Sequence, residues 1–355
     1  MKKKHIVFTG GGSAGHVTPN IAIINELDHN SWEIEYIGSK KGIEKDLIKK
    51  IGIPYHEISS GKLRRYIDIE NVKDIFRVGK GCFEARKILK ALKPALVFSK
   101  GGFVSVPVII AAKSLKIPIF IHESDMTPGL ANKISQRFAT RIFTSFEETK
   151  NYFPTEKTTV IGSPIRKEIF TGSADKGRAF LGFNTQLPVL TIMGGSLGAK
   201  KINESVREVI NLLTSRYQIV HLCGKGHLDK KLEGIEGYRQ FEYIHDELPD
   251  LLAATDLVIT RGGSNSIFEF LALKIPMIII PLTKKQSRGD QILNAKSFQE
   301  KGFALMLEEE ELDGISLLTT LEELTNRGQS MKKTMDASKM GDAIKTLARH
   351  IREVR

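Results

Sequence analysis

The sequence predicts an α/β protein made of two Rossmann-like domains, each built on a parallel sheet. Its 355 residues are too many for one core, since single cores stop growing near roughly 250 to 300 residues. Short apolar runs alternate with helical patterns, as in repeated βα units. The alternation restarts near Val189, where a strand again runs directly into glycines and then a helix.

The predicted elements follow from these runs. We expect the first domain over residues 1–163, the second over 164–341, and a basic helix over 342–355 that the sequence assigns to neither. The strand-like runs are HIVFTG, WEIEYIG, LVFSKGG, PIFIHES, RIFTSF and KTTVIGSP in the first domain and VLTIMGGS, YQIVHLCG, FEYI, LVITRGG and PMIIIPL in the second. Ligands of parallel sheets bind beyond the carboxyl ends of the strands, so two such domains facing each other are expected to form one cleft for two substrates.

Composition excludes several classes of protein. With 41% hydrophobic and 26% charged residues, the chain is neither collagenous nor disordered. The apolar run behind the basic N-terminus stops at Phe8, which is too short for a signal peptide. Apolar stretches such as residues 275–282 fall far below the roughly 20 residues of a membrane span. Cys82 and Cys223 have no CxxC spacing, so we expect a reducing, cytoplasmic setting without a disulfide framework or a zinc site.

The net charge of +12 is unevenly distributed. Residues 1–163 carry +10, and residues 164–355 carry +2. This asymmetry predicts that the first half meets an anionic partner, which is a nucleic acid, an acidic lipid surface or a phosphorylated substrate.

One basic segment, residues 62–93, combines cations with apolar side chains. It has ten Lys and Arg against four Asp and Glu, and Ile75, Phe76, Val78 and Phe83 lie among them. An apolar patch rimmed by cations is typical of a surface that rests on anionic lipid. A solvated helix with buried aromatics is the alternative, and no nucleic-acid-binding module signature accompanies the patch.

A glycine-rich turn follows the first strand. Residues 10–15 match GxGxxG, in which missing Cβ atoms let backbone N–H groups approach a pyrophosphate. A nicotinamide site also needs an acidic residue at the end of the second strand, where residues 36–39 read YIGS. That disfavours a dehydrogenase and leaves a phosphate-binding turn or a tight turn without a ligand. His16 follows in the first turn of the next helix, whose dipole favours neutral imidazole, so it is a candidate base or a locally packed residue.

Two further glycine turns lie in the second half, at residues 194–198 and 261–266. Each follows a strand and opens a helix, so two helix N-termini are expected to converge on one diphosphate. Glu269 lies about one turn into the second of these helices, where a carboxylate accepts both hydroxyls of a ribose, and a solvated helix face is the alternative. The polar segment that follows PMIIIPL offers groups that bind sugar hydroxyls, namely Asp290, Gln291 and Asn294.

Seven motifs span nearly the whole chain. They are GGSAGHVTP (11–19), KGGFVSVP (100–107), HESDMTPGLAN (122–132), GSPIR (162–166), GGSLGA (194–199), RGGSNSIFE (261–269) and DQILN (290–294). Together they resemble the bacterial peptidoglycan N-acetylglucosaminyltransferase family. Each motif alone is shared by many folds, but the ordered set is specific. The resemblance implies a GT-B fold, an acceptor-binding N-terminal domain on the cytoplasmic face of the cell membrane, and a donor-binding C-terminal domain.

The resemblance also implies an activity in peptidoglycan synthesis, and hence in cell shape and division. That activity is an inverting transfer of N-acetylglucosamine from UDP-N-acetylglucosamine to the 4-hydroxyl of undecaprenyl-pyrophosphoryl-N-acetylmuramyl-pentapeptide, which turns lipid I into lipid II. The nucleotide sugar is a substrate, so no cofactor is expected, and neither is a metal or a nucleic-acid partner. The protein is expected to sit peripherally on the anionic lipid of the cytoplasmic side.

The candidate residues fall into four groups. The candidate bases are His16, Glu123 and Asp125. The donor-binding set is Ser13, Ala14, Gly15, Arg166, Ser196, Ile244, Arg261, Gly263, Ser264, Asn265, Glu269, Asp290 and Gln291. The acceptor-binding set is Gly11, Gly12, Gly101, Gly102 and Asn132, and the membrane-contacting set is Ile75, Phe76 and Phe83.

Two residues depart from the family pattern. Ala14 stands where glycine is often found, which narrows the approach of a phosphate, and Asp125 stands in place of a commonly seen asparagine. No DxD pair flanks the glycine turns, so helix N-termini and Arg166 are expected to stabilise the departing diphosphate in place of a metal. Two alternatives remain, a UDP-N-acetylglucosamine 2-epimerase of the same fold and a non-catalytic nucleotide-sugar-binding protein at the membrane surface.

Overall fold

The structure, a computed structural model, describes residues 3–61, 69–195, 198–338 and 342–354, and of residues 69–73 the backbone alone. The chain divides into two compact units, residues 1–166 together with 340–355, and residues 167–339. The division lies three residues beyond the expected boundary, and the C-terminal segment returns to the first unit.

A seven-stranded parallel sheet forms the centre of the first unit, in the order β3-β2-β1-β4-β5-β6-β7. The strands are β1 (Lys4–Thr9), β2 (Trp32–Ser39), β3 (Tyr55–Ile58), β4 (Leu96–Ser99), β5 (Ile119–Glu123), β6 (Arg141–Thr144) and β7 (Thr158–Val160). The first five helices are α1 (Thr18–Glu26), α2 (Ile43–Lys50), α3 (Ile69–Leu92), α4 (Ser105–Ser114) and α5 (Leu130–Ser135). Neighbouring residues of β1 enter different cores, Ile6 one and Val7 the other, so the sheet is covered on both faces.

The second unit contains a six-stranded parallel sheet in the order β10-β9-β8-β11-β12-β13. Its strands are β8 (Val189–Met193), β9 (Gln218–Leu222), β10 (Tyr238–Phe241), β11 (Leu257–Thr260), β12 (Met277–Ile279) and β13 (Ala304–Met306). Its helices are α6 (Ala174–Leu181), α7 (Lys200–Glu208), α8 (Ile210–Thr214), α9 (Leu248–Ala254), α10 (Ser264–Ala272), α11 (Asp290–Glu300) and α12 (Gly314–Ala337). The run FEYI overlaps β10 only at Phe241, so Ile244 lies in the following loop.

The last helix, α13 (Ala343–Arg352), packs against α1 in the first unit. Its buried residues Ile344, Leu347 and Ile351 recur at helical spacing and join the core around Ile6. The side chain of Asp342 caps the helix by accepting the Lys345 N–H at 3.0 Å.

Both sheets reverse their winding direction at one point, between β1 and β4 and between β8 and β11. Ligands of doubly wound folds bind at this switch point, beyond the carboxyl ends of the strands. The three predicted glycine turns follow β1, β8 and β11, and the predicted acceptor residues Gly101 and Gly102 follow β4. The fold thus places all of them where its ligand sites are expected.

Candidate active site

The turn after β1 is closed by contacts within the first unit. A Cβ added to Gly11 would lie 2.4 Å from the carboxyl carbon of Glu44. One added to Gly102, after β4, would lie 2.2 Å from the Gly11 carbonyl oxygen. These two glycines are therefore required by the packing of three loops on one another, whatever ligand binds beside them.

A buried carboxylate already fills part of this turn. Glu44, at the start of α2, is fully buried, and its Oε2 accepts the N–H of Gly12 at 3.2 Å. Its Oε1 accepts the Ser39 N–H at 3.1 Å and the Ser39 hydroxyl at 2.6 Å. The Gly12 N–H, which was expected to contact the acceptor, therefore already donates to a carboxylate of the protein itself. Sequence reasoning missed Glu44, because nothing in its surroundings connects it with a glycine 32 residues earlier.

His16 lies in a short 3-10 turn, Ala14–His16, that also contains Gly15. The helix α1 begins only at Thr18, so the expectation that His16 lies in its first turn is wrong by two residues. The Ser13 hydroxyl and His16 Nδ1 are 2.9 Å apart, and the imidazole is partly exposed. When the hydroxyl accepts from Nδ1–H, the lone pair needed for base catalysis lies on Nε2.

The second turn of the first unit brings three predicted acceptor residues together. Gly101 and Gly102 have φ of +90° and +83°. A Cβ on Gly101 would lie 3.3 Å from Nδ2 of Asn132, which is buried and donates to the carbonyl of His122 at 3.2 Å. With Gly11 against Gly102, the ends of β1, β4 and β5 meet at one place.

Glu123 is buried, and both of its oxygens accept hydrogen bonds from its own loop. Oε1 accepts the Asp125 N–H at 3.0 Å, and Oε2 accepts the Gly129 N–H at 3.0 Å and Asn132 Nδ2 at 2.9 Å. Burial and the nearby charge of Asp125 raise the pKa of Glu123. These contacts suit a carboxylate that orders the loop before α5. Asp125 itself is partly exposed.

Lys100 and His122 form a buried pair. Both begin motifs of the sequence, but neither was predicted to have a role. Lys100 Nζ donates to His122 Nδ1 at 2.6 Å and also contacts the Ser124 hydroxyl. Burial lowers the pKa of Lys100 to about 7, against the raising effect of Glu123 and Asp125. Burial and the Lys100 charge hold the pKa of His122 well below its usual value. The available signal was a lysine placed directly between an apolar strand and two glycines.

A cavity of about 720 Å³ opens beside the first turn. Its wall includes Gly11 and Gly12 together with the cations Lys40, Lys41 and Arg77. The first unit therefore has room for an anionic group next to the acceptor residues, bounded by side chains from the loop after β2 and from α3.

In the second unit, the turn after β11 leads into a helix N-terminus. The helix α10 begins at Ser264, and its N-cap residue is Gly263, which has no side chain to cap the helix. A Cβ added to Gly263 would meet no described atom within 4 Å. Backbone N–H groups at such an end attract phosphate groups. Ser264 and Asn265 form the first turn.

Arg261 is held by groups of the second unit. It is largely buried, its Nη1 donates to the Ile280 carbonyl at 3.2 Å, and its Nη2 pairs with the buried Glu309. The pair links the ends of β11 and β12 with the segment after β13. This arrangement fixes the start of the glycine turn, which is a structural reason for an arginine at this position.

The start of α11 packs against the same turn. A Cβ on Gly262 would lie 2.6 Å from the Gln291 carbonyl oxygen, and Asn294 Nδ2 donates to the Gly262 carbonyl at 3.0 Å. Gln291 Oε1 accepts the Leu282 N–H at 3.1 Å. Asp290 and Gln291 are thereby placed next to the open end of α10.

The structure describes three of the four remaining donor candidates. Glu269 lies in α10 and is partly exposed. Ile244 is buried after β10, and Arg166 is the last residue of the first unit. Ser196 lies outside the described residues.

The predicted membrane-contacting side chains are exposed on α3. Ile75, Phe76 and Phe83 are 63%, 75% and 79% exposed, so the alternative of buried aromatics is wrong for them. Phe76 and Phe83 are seven residues apart and share one face of the helix with the exposed Lys80 and Lys87. No helix in the described part of the chain is both long and apolar enough to span a membrane.

One group of side chains in the described ranges has metal-ligating chemistry. His5, Glu33 and Glu35 hold ligand atoms within 4.8 Å of one another. They lie at the amino ends of β1 and β2, at the opposite edge of the sheet from the glycine turns.

Two profiles of one family match the chain. The glycosyltransferase family 28 N-terminal domain covers residues 6–144, and the family 28 C-terminal domain covers residues 189–349. The chain belongs to glycosyltransferase family 28. It is therefore a glycosyltransferase, with one family 28 domain in each compact unit.

A family 28 relative from Shouchella clausii (strain KSM-K16) is 59% identical over 341 residues, which is 96% of each chain. Its name is UDP-N-acetylglucosamine--N-acetylmuramyl-(pentapeptide) pyrophosphoryl-undecaprenol N-acetylglucosamine transferase. The crystal structure of MurG from Acinetobacter baumannii is 23% identical and covers 99% of both chains, with a TM-score of 0.78.

The UDP-GlcNAc 2-epimerase from Neisseria meningitidis is 14% identical, with a TM-score of 0.68 over 99% of this chain and 100% of that one. At these identities, each crystal structure shows a likeness to this chain in fold alone. Together with the two family 28 domains, the likeness to MurG confirms the predicted α/β fold of the GT-B class.

Proposed function

We propose that this family 28 glycosyltransferase moves N-acetylglucosamine from UDP-N-acetylglucosamine to the 4-hydroxyl of undecaprenyl-pyrophosphoryl-N-acetylmuramyl-pentapeptide. The observation that carries the proposal is the 59% identity, over 96% of both chains, with the relative that is named for this reaction.

The second unit is the proposed donor site. The uncapped start of α10 at Gly263 and Ser264 offers backbone N–H groups to the diphosphate of the nucleotide. Asp290 and Gln291, at the adjacent start of α11, are suited to the sugar hydroxyls, and Glu269 to the ribose. Arg261 acts here through its pairing with Glu309, which keeps the turn in place.

The first unit is the proposed acceptor site. At the ends of β1, β4 and β5, Gly102 lies against Gly11 and Gly101 lies against Asn132. Lys40 and Lys41 on the wall of the neighbouring cavity supply positive charge for a diphosphate.

His16 is the proposed general base. It is partly exposed, and its Nδ1 lies 2.9 Å from the Ser13 hydroxyl, which orients the ring. Glu123 is less suited, because both of its oxygens already accept N–H groups. The base removes the proton from the acceptor 4-hydroxyl, the oxygen forms a bond to the anomeric carbon, and the bond to UDP breaks with its electron pair leaving on the diphosphate.

Stabilisation of the departing diphosphate is assigned to the α10 N-terminus, without a metal. Fixed dipoles aimed at developing negative charge are effective in this role. Turnover that vanishes in chelator and returns with magnesium would contradict this part of the proposal.

We also propose that the exposed face of α3 rests on anionic lipid at the cytoplasmic side of the membrane. Phe76 and Phe83 would enter the interface, while Lys80 and Lys87 meet the headgroups. Co-sedimentation with vesicles of anionic lipid should be salt-sensitive and weakened by Phe76→Ser/Phe83→Ser. Equal binding by this variant would overturn the assignment.

Transfer of radiolabelled sugar from UDP-N-acetylglucosamine to a short-chain lipid acceptor tests the main proposal. UDP release should require the acceptor and yield a labelled lipid product. UDP release or epimerised sugar without an acceptor would favour the 2-epimerase alternative. Tight binding of the nucleotide sugar without transfer would favour a non-catalytic protein.

A further inference from the structure

A buried ammonium group lies beside the proposed acceptor site, at the end of β4. We propose that Lys100 is a positioning residue for sugar transfer, which holds the loop over residues 122–125 in its active arrangement through His122 and Ser124. The inference rests on the proposed function and adds to it a residue with no assigned role.

The hydrogen bonds of Lys100 join three strand ends. Lys100 is only 2% exposed, and its Nζ donates to His122 Nδ1 at 2.6 Å and to the Ser124 hydroxyl. His122 Nε2 lies 3.2 Å from the Gly162 carbonyl. Because a carbonyl only accepts, Nε2 carries the proton and Nδ1 offers its lone pair to the lysine. One ammonium group therefore connects the ends of β4 and β5 with the turn after β7.

The electrostatics of the site explain why Asp125 matters to Lys100. A buried ammonium is unfavourable unless anionic groups compensate it. His122 is neutral, because its pKa is held well below the usual value. Asp125 follows directly on Ser124, whose hydroxyl contacts Lys100, and together with Glu123 it raises the pKa of Lys100. Glu123 in addition accepts N–H groups of Asp125, Gly129 and Asn132. With asparagine at position 125, Lys100 would keep only Glu123 as a counter-charge.

The arrangement predicts a particular pH dependence of turnover. The titratable groups facing Lys100 are His122, Glu123 and Asp125, and together with burial they place the pKa of Lys100 at about 7. If the charged form holds the loop, turnover falls as pH rises through that value. Removing the charge of Asp125 takes away one raising influence, so the falling limb moves to lower pH.

The test compares wild type with Lys100→Met, Asp125→Asn and the double variant. Lys113→Met, an exposed lysine on α4, is the matched control. Lys100→Met should lower kcat by about tenfold or more, within the range of couplings in one hydrogen-bond network, and leave the KM for the donor unchanged. The falling alkaline limb should be absent from this variant, and the loss in the double variant should be smaller than the product of the two single losses.

Two outcomes would overturn the proposal. One is a Lys100→Met enzyme whose kcat stays within about twofold of wild type, the smallest coupling expected in one network. The other is a double variant whose loss equals the product of the single losses. UDP binding by each variant reports whether the second unit is folded, and circular dichroism melting reports on the whole chain.

An NMR titration judges the charge pair without relying on turnover. In protein with ¹³C-labelled lysine, the pKa of Lys100 should be lower in Asp125→Asn than in wild type, and an unchanged pKa would overturn the pairing. If wild type transfers no sugar while this shift is present, the proposed function fails and the Lys100–Asp125 pair stands.

Discussion

In the first unit, the protein's own carboxylates fill the turns at the strand ends, whereas in the second unit the turn after β11 runs into an uncapped helix N-terminus. Glu44 accepts the N–H of Gly12, and Glu123 accepts the N–H groups of Asp125 and Gly129. The N-cap residue of α10 is Gly263, which has no side chain that could accept an N–H of the helix. Similar glycine turns on the same kind of sheet therefore have different electrostatic character.

This difference fits two kinds of ligand. An uncapped helix end attracts a diphosphate, which suits a soluble nucleotide that must be captured and released. A turn whose amides are already hydrogen-bonded is rigid and gains less from an added anion. Lys40 and Lys41 instead provide positive charge near the glycine turn of the first unit, whereas Arg77 is paired with Asp74. We expect the acceptor diphosphate to be held there mainly by side chains.

The turn of the second unit lies on a closed interior, in which burial lowers the pKa of His221 to about 3. Its Nε2 donates to Asn203 Oδ1 at 2.9 Å, and its Nδ1 accepts from the Tyr238 hydroxyl at 2.9 Å. Between about pH 3 and 6.5 the folded chain binds fewer protons than the unfolded chain, so stability is full above 6.5 and falls as pH decreases, by about 5 kcal/mol at most.

Hydrogen exchange of second-unit amides, followed in increasing urea at several pH values, measures this loss of stability. The matched variant His221→Gln keeps hydrogen-bonding capacity but cannot titrate, so its stability should depend less on pH. Identical pH slopes for the two proteins would mean that the histidine is not held neutral.

Gly102→Ala should give the next largest effect. The residue has φ of +83°, and an added Cβ would lie 2.2 Å from the Gly11 carbonyl oxygen. Backbone strain and the clash together should destabilise the first unit by about 3 kcal/mol. Hydrogen exchange resolves the two units, and Gly79→Ala in α3, where no described atom lies within 4 Å, is the control. Equal protection in Gly102→Ala and Gly79→Ala would show that the turn is not closed.

The sequence predicted those parts of the fold that depend on local pattern. Buried strands such as Val189–Met193 are continuous apolar runs, and Ser264 begins a helix directly after two glycines. The short strands β3 and β13 were not predicted, because Tyr55–Ile58 and Ala304–Met306 are too brief for a clear period.

What the sequence could not predict depends on contacts between distant residues. Glu44 meets Gly12 and Glu309 meets Arg261 across 32 and 48 positions, and each pairing exists only once the strands are side by side. The same holds for α13, whose apolar face is evident but whose partner α1 lies at the other end of the chain. The motifs predicted the candidate residues, but they did not predict the side chains that already form hydrogen bonds with several of them.

Glu44→Gln tests the closed character of the first unit more gently than Gly102→Ala. The amide has one acceptor oxygen where the carboxylate serves three donors from Gly12 and Ser39, so stability should fall by about 1–3 kcal/mol. The loss should appear in the exchange of first-unit amides, while calorimetry should find UDP affinity unchanged. A comparable loss of UDP affinity would contradict the assignment of the donor to the second unit.

Gly263→Ala should have the smallest effect on stability and the most direct one on the open turn. Its φ of −69° is allowed for alanine, and no described atom lies within 4 Å of the new Cβ, so the free energy of unfolding should change by no more than about 0.5 kcal/mol. The methyl group would nevertheless occupy the space where an anion approaches the helix end. UDP should therefore bind about tenfold more weakly, the equivalent of one charge-assisted hydrogen bond. Because stability is nearly constant, calorimetry measures the loss of the ligand contact alone. Undiminished UDP affinity would mean that the diphosphate binds elsewhere and that the turn of the second unit is not open to a ligand.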